Sequence, residues 1–250
     1  FFSLVLACLT IELFIQEAKN GEEICMRPIA AMKAMEEAVG RATEMGSSVL
    51  YVPGISGLDE IDTISGVIVL GHIAGMTAEY EADLHVPCCV PIVMEAAKES
   101  CKEAYLKKGR PDLYNENMVH YVTDDQFAYA AGVNGIMLRE KPAAVFYQGK
   151  FYAESLLLAE TGSSIGAIQI AGTGSSSQIP FFVTACDYVL IGEEFYAASA
   201  YLSGSPEMIG SIKGQDYVKL LCMIFIGLVV ALSIFNYIDL FSIDIASLFR

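Results

Sequence analysis

The sequence predicts an α/β domain held between two membrane-spanning helices. Strand-like and helix-like stretches alternate along the middle of the chain, the strand-like stretches are near-continuous apolar runs, and an apolar segment lies near each end. Strands joined by long helical crossovers are parallel, and parallel strands that are apolar on both faces are covered by helices on both faces. We therefore expect an α/β fold with a mainly parallel sheet of about six strands, flanked by N- and C-terminal transmembrane helices.

The N-terminal segment, residues 1–15, is apolar apart from Glu12 and short polar side chains. A spanning helix needs about 20 apolar residues, so we interpret this segment as the latter part of a truncated transmembrane helix. A cleaved signal peptide is the alternative, but the sequence shows neither a basic n-region nor a small-residue cleavage site there. Glu12, if it lies in lipid, should face protein because an ionisable group inside the bilayer is costly.

Helices and strands alternate through residues 22–212, which we interpret as one domain. A helix begins near Pro28, which suits a first turn, and ends before Gly46. The expected strands are 49–52, 83–86, 117–122, 143–147, 167–170 and 188–191. The expected helices are 28–45, 59–80, 92–108, one that begins at 124–126, 152–161, a short one from 178, and 193–202.

The C-terminal segment, residues 220–238, carries no charge and follows Lys219. Its length matches one tilted crossing of a bilayer, and an uncharged helix has no polar face for a soluble protein. Lysine and arginine are concentrated on the domain side of both segments, which by the positive-inside rule places the domain in the cytoplasm. Residues 239–250 alternate acidic and apolar side chains and are expected to lie along the membrane interface or on a partner.

Composition excludes some classes of function. The 250 residues are 54% hydrophobic, more than an ordinary soluble domain, and the formal net charge is −15. Nucleic acids and anionic membrane surfaces attract an excess of lysine and arginine. We therefore expect no nucleic-acid partner, and we expect the lipid bilayer to be one of the chain's environments.

The seven cysteines include the adjacent pair Cys88 and Cys89, but no CxxC pair and no zinc spacing. We expect reduced, buried thiols in a cytosol-facing protein. His85 lies three residues before Cys88, and strand alternation sends two such side chains to opposite faces. The sequence therefore predicts no catalytic residues and no metal centre, and it leaves any cofactor unknown.

Polar and glycine-rich residues follow every expected strand. Turns and helix caps explain most of them: Thr123 or Asp124 and Ser177 suit an N-cap, and acidic residues at 193–194 suit a helix N-terminus. A Mg²⁺ held by Asp124, Asp125 and a glutamate of 193–194 would require a strand order that brings them together.

The loop after the fifth strand is the best candidate for a ligand site, because glycines and hydroxyls before a helix can hold a phosphate or carboxylate. It lacks the last glycine of a dinucleotide fingerprint and the lysine of a phosphate-binding P-loop. The candidate ligand-binding residues are Gly172, Thr173, Gly174, Ser175, Ser176, Asp124 and Asp125.

Segments 124–141, 151–155 and 193–201 are rich in small residues and tyrosine. Small residues allow helices to approach closely, and tyrosine combines apolar area with a polar tip, which favours it at protein interfaces. Packing against the sheet is the alternative, but these segments fit a contact between subunits better than they fit solvent.

Several segments carry a resemblance to a known family. They are AMEEAVGRATEMG, VLYVPGI, TDDQFAYAAGVNGIMLREKPAA, FYAESLLLAETG, AIQIAGT, PFFVTACDYVLIGEE and AASAYLSG. They span most of residues 28–218, and the chain resembles uncharacterised bacterial membrane-anchored proteins classed as a domain of unknown function. The resemblance implies a cytoplasmic domain between membrane segments and supplies no catalytic residues.

Two functions remain open at this point. The first is a non-enzymatic scaffold or accessory subunit of a membrane assembly in the bacterial inner membrane, which forms homo-oligomers and contacts other subunits of a membrane complex. The alternative is a small-ligand or nucleotide-binding membrane protein, with or without enzymatic activity, which uses the loop 172–177.

Overall fold

The computed structural model describes residues 2–20 and 30–237. The chain divides into two compact units, one made of Phe1–Met26 with Gly204–Arg250 and the other of Arg27–Ser203. The first unit is a helix pair and the second contains the sheet. The expected interfacial tail, residues 239–250, and Cys25 lie outside the described residues.

The second unit is an α/β domain with one six-stranded sheet, which confirms the expected fold class. Its strands are β1 (Val49–Val52), β2 (Leu84–Cys88), β3 (Val119–Tyr121), β4 (Ala144–Gln148), β5 (Ile168–Thr173) and β6 (Tyr188–Ile191). The strand order is β3-β2-β1-β4-β5-β6, and every neighbouring pair is parallel. This is the order of doubly wound dinucleotide-binding sheets, in which the direction of winding reverses between β1 and β4.

The helices of the chain follow the expected pattern. They are α1 (Phe2–Lys19), α2 (Ala30–Glu44), α3 (Ile61–Tyr80), α4 (Pro91–Lys107), α5 (Gln126–Glu140), α6 (Glu154–Ser164), α7 (Ile179–Ala185), α8 (Glu193–Ser203) and α9 (Pro206–Tyr237). In the α/β unit α2, α3, α4 and α8 contribute to the core on one face of the sheet, the front, and α5, α6 and α7 to the core on the other, the rear. β1 and β4 are buried along their whole length between these layers.

α3 lies in the core of the α/β unit, and its glycines allow close packing. A Cβ atom on Gly66 would lie 2.7 Å from the backbone oxygen of Gln148 in β4. The Tyr51 hydroxyl of β1 donates to the Gly66 carbonyl at 2.5 Å. A Cβ on Gly71 would lie 2.8 Å from the Ser100 hydroxyl of α4. The helix therefore touches both the sheet and its neighbouring helix where it has no side chain.

In the first unit α1 and α9 pack as an antiparallel pair. Lys19 and Glu207 form an ion pair at 2.8 Å, and the rings of Phe14 and Tyr217 stack with centroids 4.5 Å apart. α9 contributes the sequence Gly210-x-x-x-Gly214, and a Cβ atom on these glycines would lie 2.6 Å from Ile15 Cα and 2.7 Å from Ile11 Cα respectively. Small residues spaced in this way let two helix backbones approach closely.

The register of this pair explains where Glu12 lies. Glu12 is exposed and its carboxylate accepts a hydrogen bond from the Gln16 amide at 3.2 Å. It was expected to face protein if it lay in lipid. Because Ile11 lies against Gly214, Glu12 is level with the part of α9 that carries charged side chains, from Glu207 to Lys219. The charged segment of α9, and not its apolar segment, is thus the part that lies beside Glu12.

Two helices among the described residues are long and apolar enough to cross a membrane, α3 and α9. In α3, 67% of the apolar stretch is buried inside the protein, which identifies it as a core helix. None of the apolar stretch of α9 is buried. α9 already begins at Pro206, before the expected start at residue 220, because the helix runs without a break from its charged segment into its apolar one.

The boundary of β5 also differs from the expected one. Gly172 and Thr173 belong to the strand instead of the loop, because Gly172 pairs with Gln148 on one side and Leu190 on the other. The Gly172 carbonyl accepts from the Gly149 amide at 2.9 Å. The loop that precedes α7 is therefore shorter than the sequence indicates.

Alanine substitutions at two helical glycines separate packing from helix propensity. Gly66→Ala should lower the free energy of unfolding by about 1–3 kcal/mol, because the new methyl group overlaps β4. The matched change Gly40→Ala on α2, where a Cβ meets no atom within 4 Å, should raise it by about 0.5–1 kcal/mol. Denaturant unfolding of the detergent-solubilised full chain measures both, and equal effects would contradict the close contact of α3 with β4.

Candidate functional site at the carboxyl edge of the sheet

The carboxyl edge of the sheet, where all six strands end, is where ligands bind in open parallel sheets, and the favoured position is the winding reversal between β1 and β4. Here the loops that follow these two strands contact each other. A Cβ atom on Gly54 would lie 2.5 Å from the Lys150 carbonyl oxygen, and one on Gly149 would lie 2.5 Å from the Pro53 carbonyl oxygen. The Ile55 amide donates to the Lys150 carbonyl at 3.1 Å. Backbone atoms of the two loops therefore contact each other at the winding reversal.

An ion pair joins the same two loops. The Lys150 ammonium lies 2.5 Å from the Glu60 carboxylate, and its Nζ lies 5.9 Å from the centroid of the Tyr152 ring. Glu60 is the residue that precedes α3, and it makes no side-chain cap of that helix. Its carboxylate contributes to closing the gap between the loops.

Asp62, in the first turn of α3, is the central carboxylate of the site. It is 7% exposed and contacts two other elements. The Tyr196 hydroxyl of α8 donates to its Oδ1, and the Gly174 amide after β5 donates to its Oδ2 at 3.3 Å. Burial, followed by the hydrogen bond to Asp62, raises the pKa of Tyr196, so the phenol stays protonated and keeps donating. Below, Asp62, Gly174 and Tyr196 are called the Asp62 cluster.

The two glycines of the candidate loop have packing explanations. At Gly172 a side chain would collide with Gln148 Oε1 and would lie 2.8 Å from the Phe195 ring. At Gly174 a side chain would collide with the Tyr196 hydroxyl and would lie 2.6 Å from Asp62 Oδ1. The protein's own side chains thus occupy the space that these glycines leave open.

Several backbone donors of this loop are used internally. The Ser175 amide donates to the Thr173 hydroxyl at 3.1 Å, while the amides of Gln178 and Ile179 donate to the Ser175 carbonyl at 3.0 and 3.2 Å. Ser176 is exposed and Thr173 is fully buried. Gln178 precedes α7 and makes no side-chain cap, so the expected cap at Ser177 is wrong. The role of Gly172, Thr173, Gly174, Ser175 and Ser176 in ligand binding stays a prediction.

Gln148, at the end of β4, is fully buried and pairs with Gly172 of β5. Its Nε2 donates to the Ile170 carbonyl at 3.2 Å, while its Oε1 accepts no hydrogen bond from the described part of the chain. A buried acceptor without a donor is costly. Gln148 is therefore the polar group at this edge whose hydrogen bonding is least complete.

On the rear face a second buried carboxylate supports the same edge. Glu154 of α6 is fully buried, and it accepts from the Tyr152 amide at 2.8 Å and from the Gln126 side chain at 2.5 Å. The next residue, Ser155, donates to the Gln178 side chain at 2.7 Å. The loop between β5 and α7 is thus held by Asp62 from the front and by Ser155 from the rear.

The two other candidate ligand residues, Asp124 and Asp125, follow β3 at the start of α5. Asp125 caps α5 by accepting from the Ala128 amide at 2.8 Å, which corrects the expected caps, Thr123 or Asp124, by one or two positions. Both Asp124 and Asp125 are exposed. β3 and β5 have three strands between them, but Gln126, which follows Asp125, donates to Glu154, and the neighbouring Ser155 donates to Gln178 after the β5 loop. The role of Asp124 and Asp125 in ligand binding stays a prediction.

The Mg²⁺ combination is not formed either. Asp124 and Asp125 follow β3, and Glu193 and Glu194 begin α8 directly after β6, at the opposite edge of the sheet. In residues 2–20 and 30–237 no group of three or more His, Cys, Asp or Glu side chains is arranged to hold a metal ion.

The cysteines behave as core residues more than as nucleophiles. Cys88, Cys89 and Cys101 are buried and free, whereas Cys8 and Cys222 are exposed. Burial raises the pKa of Cys88 to about 12 and that of Cys89 to about 11, where the nearby Asp124 carboxylate adds to the effect. Thiols with such values are protonated at neutral pH, and the thiolate is the nucleophile.

Sequence reasoning missed the Asp62 cluster and Glu154. Asp62 and Glu154 resemble ordinary acidic residues of a first helical turn, where the helix dipole favours them. The sequence of α3 contains one signal for Asp62, because small polar residues follow it on an otherwise apolar helix. Contact between residues 62, 174 and 196 depends on the strand order, which the sequence does not specify.

Comparison with known proteins places the chain in a family. The model of DUF6754, a domain of unknown function, matches residues 1–243. The chain belongs to this family. The match covers both units, so the helix pair and the α/β unit are parts of one DUF6754 domain. Searches of curated proteins and of solved structures found no match to the chain.

The Asp62 cluster should contribute measurably to stability. Tyr196→Phe leaves Asp62 Oδ1 buried without its donor, and it should lower the free energy of unfolding by about 1–3 kcal/mol. Tyr201→Phe, on the exposed side of the same helix, should change it by less than about 0.5 kcal/mol. Chemical denaturation of the full chain compares the two, and a Tyr196→Phe effect as small as the control's would show that the hydrogen bond is dispensable.

Proposed function

We propose that this protein is a membrane-anchored scaffold or accessory subunit of a membrane assembly, without enzymatic activity, that self-associates through its α/β unit. The observation that supports this most is that the ligand-binding position of the sheet is filled by the protein's own atoms. The loops after β1 and β4 contact each other there, and the Asp62 cluster ties α3, α8 and the β5 loop together. A domain built in this way is better suited to contacts with other proteins than to binding a substrate.

Anchoring is supported by the surface of α9. From Leu220 onward its large apolar side chains are about half exposed all around the helix, and a helix that is apolar on every side needs lipid or other apolar partners. In the chain, Lys213 and Lys219 lie between the α/β unit and this apolar segment. By the positive-inside rule they favour a bacterial inner membrane protein whose α/β unit faces the cytoplasm.

A single arginine in α9 tests the anchor. Leu228→Arg places a charge in the middle of the apolar segment at a cost of about 3 kcal/mol, and it should reduce several-fold the fraction of protein that resists alkaline extraction from membranes. Leu106→Arg on α4 is the matched control, because the two leucines are 54% and 55% exposed. If Leu228→Arg stays in the membrane as fully as the control, α9 does not lie in lipid.

Ligand binding at the carboxyl edge is the second candidate function. It is favoured by the strand order, which is that of dinucleotide-binding sheets, and by the buried Gln148 Oε1 without a donor. A ligand there would have to separate Lys150 from Glu60 and draw the loops apart.

A thermal-shift comparison of the purified full chain with ATP, GTP, NAD⁺ and NADP⁺ separates the two functions. The scaffold proposal predicts no stabilisation beyond that given by matched salt, because the amides of Gly174 and Ser175 already have internal acceptors. Saturable stabilisation by one of these nucleotides, lost in Gly174→Ala, would favour the second candidate and count against the first.

A further inference from the structure

α2 is held on the front of the sheet by apolar contacts alone. Its buried side chains are mostly those of alanine: Ala31, Ala34, Met35, Ala38, Val39 and Ala42. In residues 2–20 and 30–237, no hydrogen bond or ion pair joins a side chain of α2 to another element. The Thr43 hydroxyl donates to Val39, and Lys33 pairs with Glu37, all within α2. Because the free energy of burial scales with apolar area and alanine has little of it, this helix is weakly held.

The other helices of the front layer have polar links to one another. Ser199 of α8 donates to the Ser65 hydroxyl of α3 at 3.2 Å. Lys108, directly after α4, pairs with Glu79 of α3 at 2.6 Å. Elements with few stabilising contacts open at a lower free energy than the rest of a fold. α2 is therefore the front helix that separates most readily.

His72 of α3 lies close enough to α2 for the charge of Glu36 to act on it. The imidazole is half-buried, and its Nε2 is fully buried without a hydrogen-bond partner in the described chain. Burial lowers the pKa of His72 from its ordinary value of 6.5, although the Glu36 carboxylate opposes this and Lys108 adds to it. Loss of hydration thus disfavours an imidazolium at this position.

The elements packed on α3 provide few charges that could compensate an imidazolium. They are α2, α4, α8 and β4. α2 presents Glu36, whose attraction is smaller than the effect of burial, and α4 is followed by Lys108, which is itself paired with Glu79. β4 has no charged residue. α8 meets α3 at Ser65, about two turns before His72.

The sign of the pH dependence follows from this burial. A state in which His72 is hydrated has the higher pKa, so it binds more protons than the closed state. The closed state therefore has its full stability above pH 6.5, the ordinary pKa of histidine, and loses stability as the pH falls below that value. Histidine is the side chain whose ordinary pKa lies in this range, and the chain has three of them.

We propose that α2 is an acid-released helix: when His72 takes up a proton, α2 separates from α3 and the imidazolium becomes hydrated. α2 opens before α4 and α8 because it has no polar link to its neighbours. It is the first helix of the α/β unit after α1 in the chain, so its release lengthens the connection between the helix pair and the rest of the unit. This device goes beyond the proposed function and does not depend on it.

Hydrogen–deuterium exchange of the detergent-solubilised full chain at about pH 7.5 and about pH 5.5 measures the release, with exchange times corrected for the slower intrinsic exchange in acid. Protection of residues 30–44 should fall severalfold at the lower pH, up to about the tenfold that one pH unit below the ordinary histidine pKa allows. Protection of residues 91–107, in α4, should stay the same.

Variants assign the response to one histidine. His72→Gln keeps a polar side chain that does not titrate, so protection of residues 30–44 should be equal at the two pH values. His120→Gln is the matched control, because burial lowers the pKa of His120 as well, and β3 is separated from β4 by β2 and β1. This control should respond to acid like the wild type. His72→Asn gives the same comparison if His72→Gln does not fold.

Each outcome decides the proposal. Wild-type protection of residues 30–44 that is the same at both pH values overturns it without any variant. A joint loss of protection in α2, α4 and α8 means that the whole unit unfolds in acid, which contradicts a selective release. A response to acid in the His72 variants as large as that of the wild type shows that another group controls α2.

Discussion

The reversal of winding between β1 and β4 is the constraint on which the rest of the α/β unit depends. All six strands are parallel, so helices must return along both faces of the sheet, and the two sets of crossovers separate where the direction changes. A gap results at the carboxyl edge, and many proteins use such a gap for a ligand. In this protein Gly54 and Gly149 allow the two loops to contact each other, and Lys150 pairs with Glu60 across them. Atoms of the two loops therefore pack against each other in this gap.

Closing this edge leaves carboxylates buried without a cation beside them in the described structure. Asp62 accepts from a phenol and a backbone amide, and Glu154 accepts from an amide side chain and a backbone amide. Both belong to the first turn of a helix, where the helix dipole favours negative charge. Hydrogen bonds from neutral donors thus stabilise the charges and link elements distant in sequence.

Much of the fold follows from the sequence because apolar periodicity and turn residues are local signals. All the strands of the sheet and the helices around it were expected near their observed positions, and Gly46 follows the end of α2 as anticipated, whereas Pro28 lies outside the described residues. Strand order is not local, so the contact of Asp62 with Gly174 and Tyr196 could not be anticipated. The absence of side chains at Gly172 and Gly174 was interpreted as space for a ligand. The side chains of Gln148 and Tyr196 occupy that space, which the sequence alone does not show.

The continuity of α9 has a mechanical consequence. Its 32 residues form one unbroken helix, about 48 Å long at about 1.5 Å per residue, whereas the hydrocarbon core of a bilayer is about 30 Å thick. No proline or glycine pair interrupts it between the half that packs on α1 and the apolar half. Such a helix acts as a stiff lever. With the apolar end in a bilayer, as proposed above, any tilt or rotation imposed on that end is transmitted along the helix to the part that packs on α1 through Gly210 and Gly214.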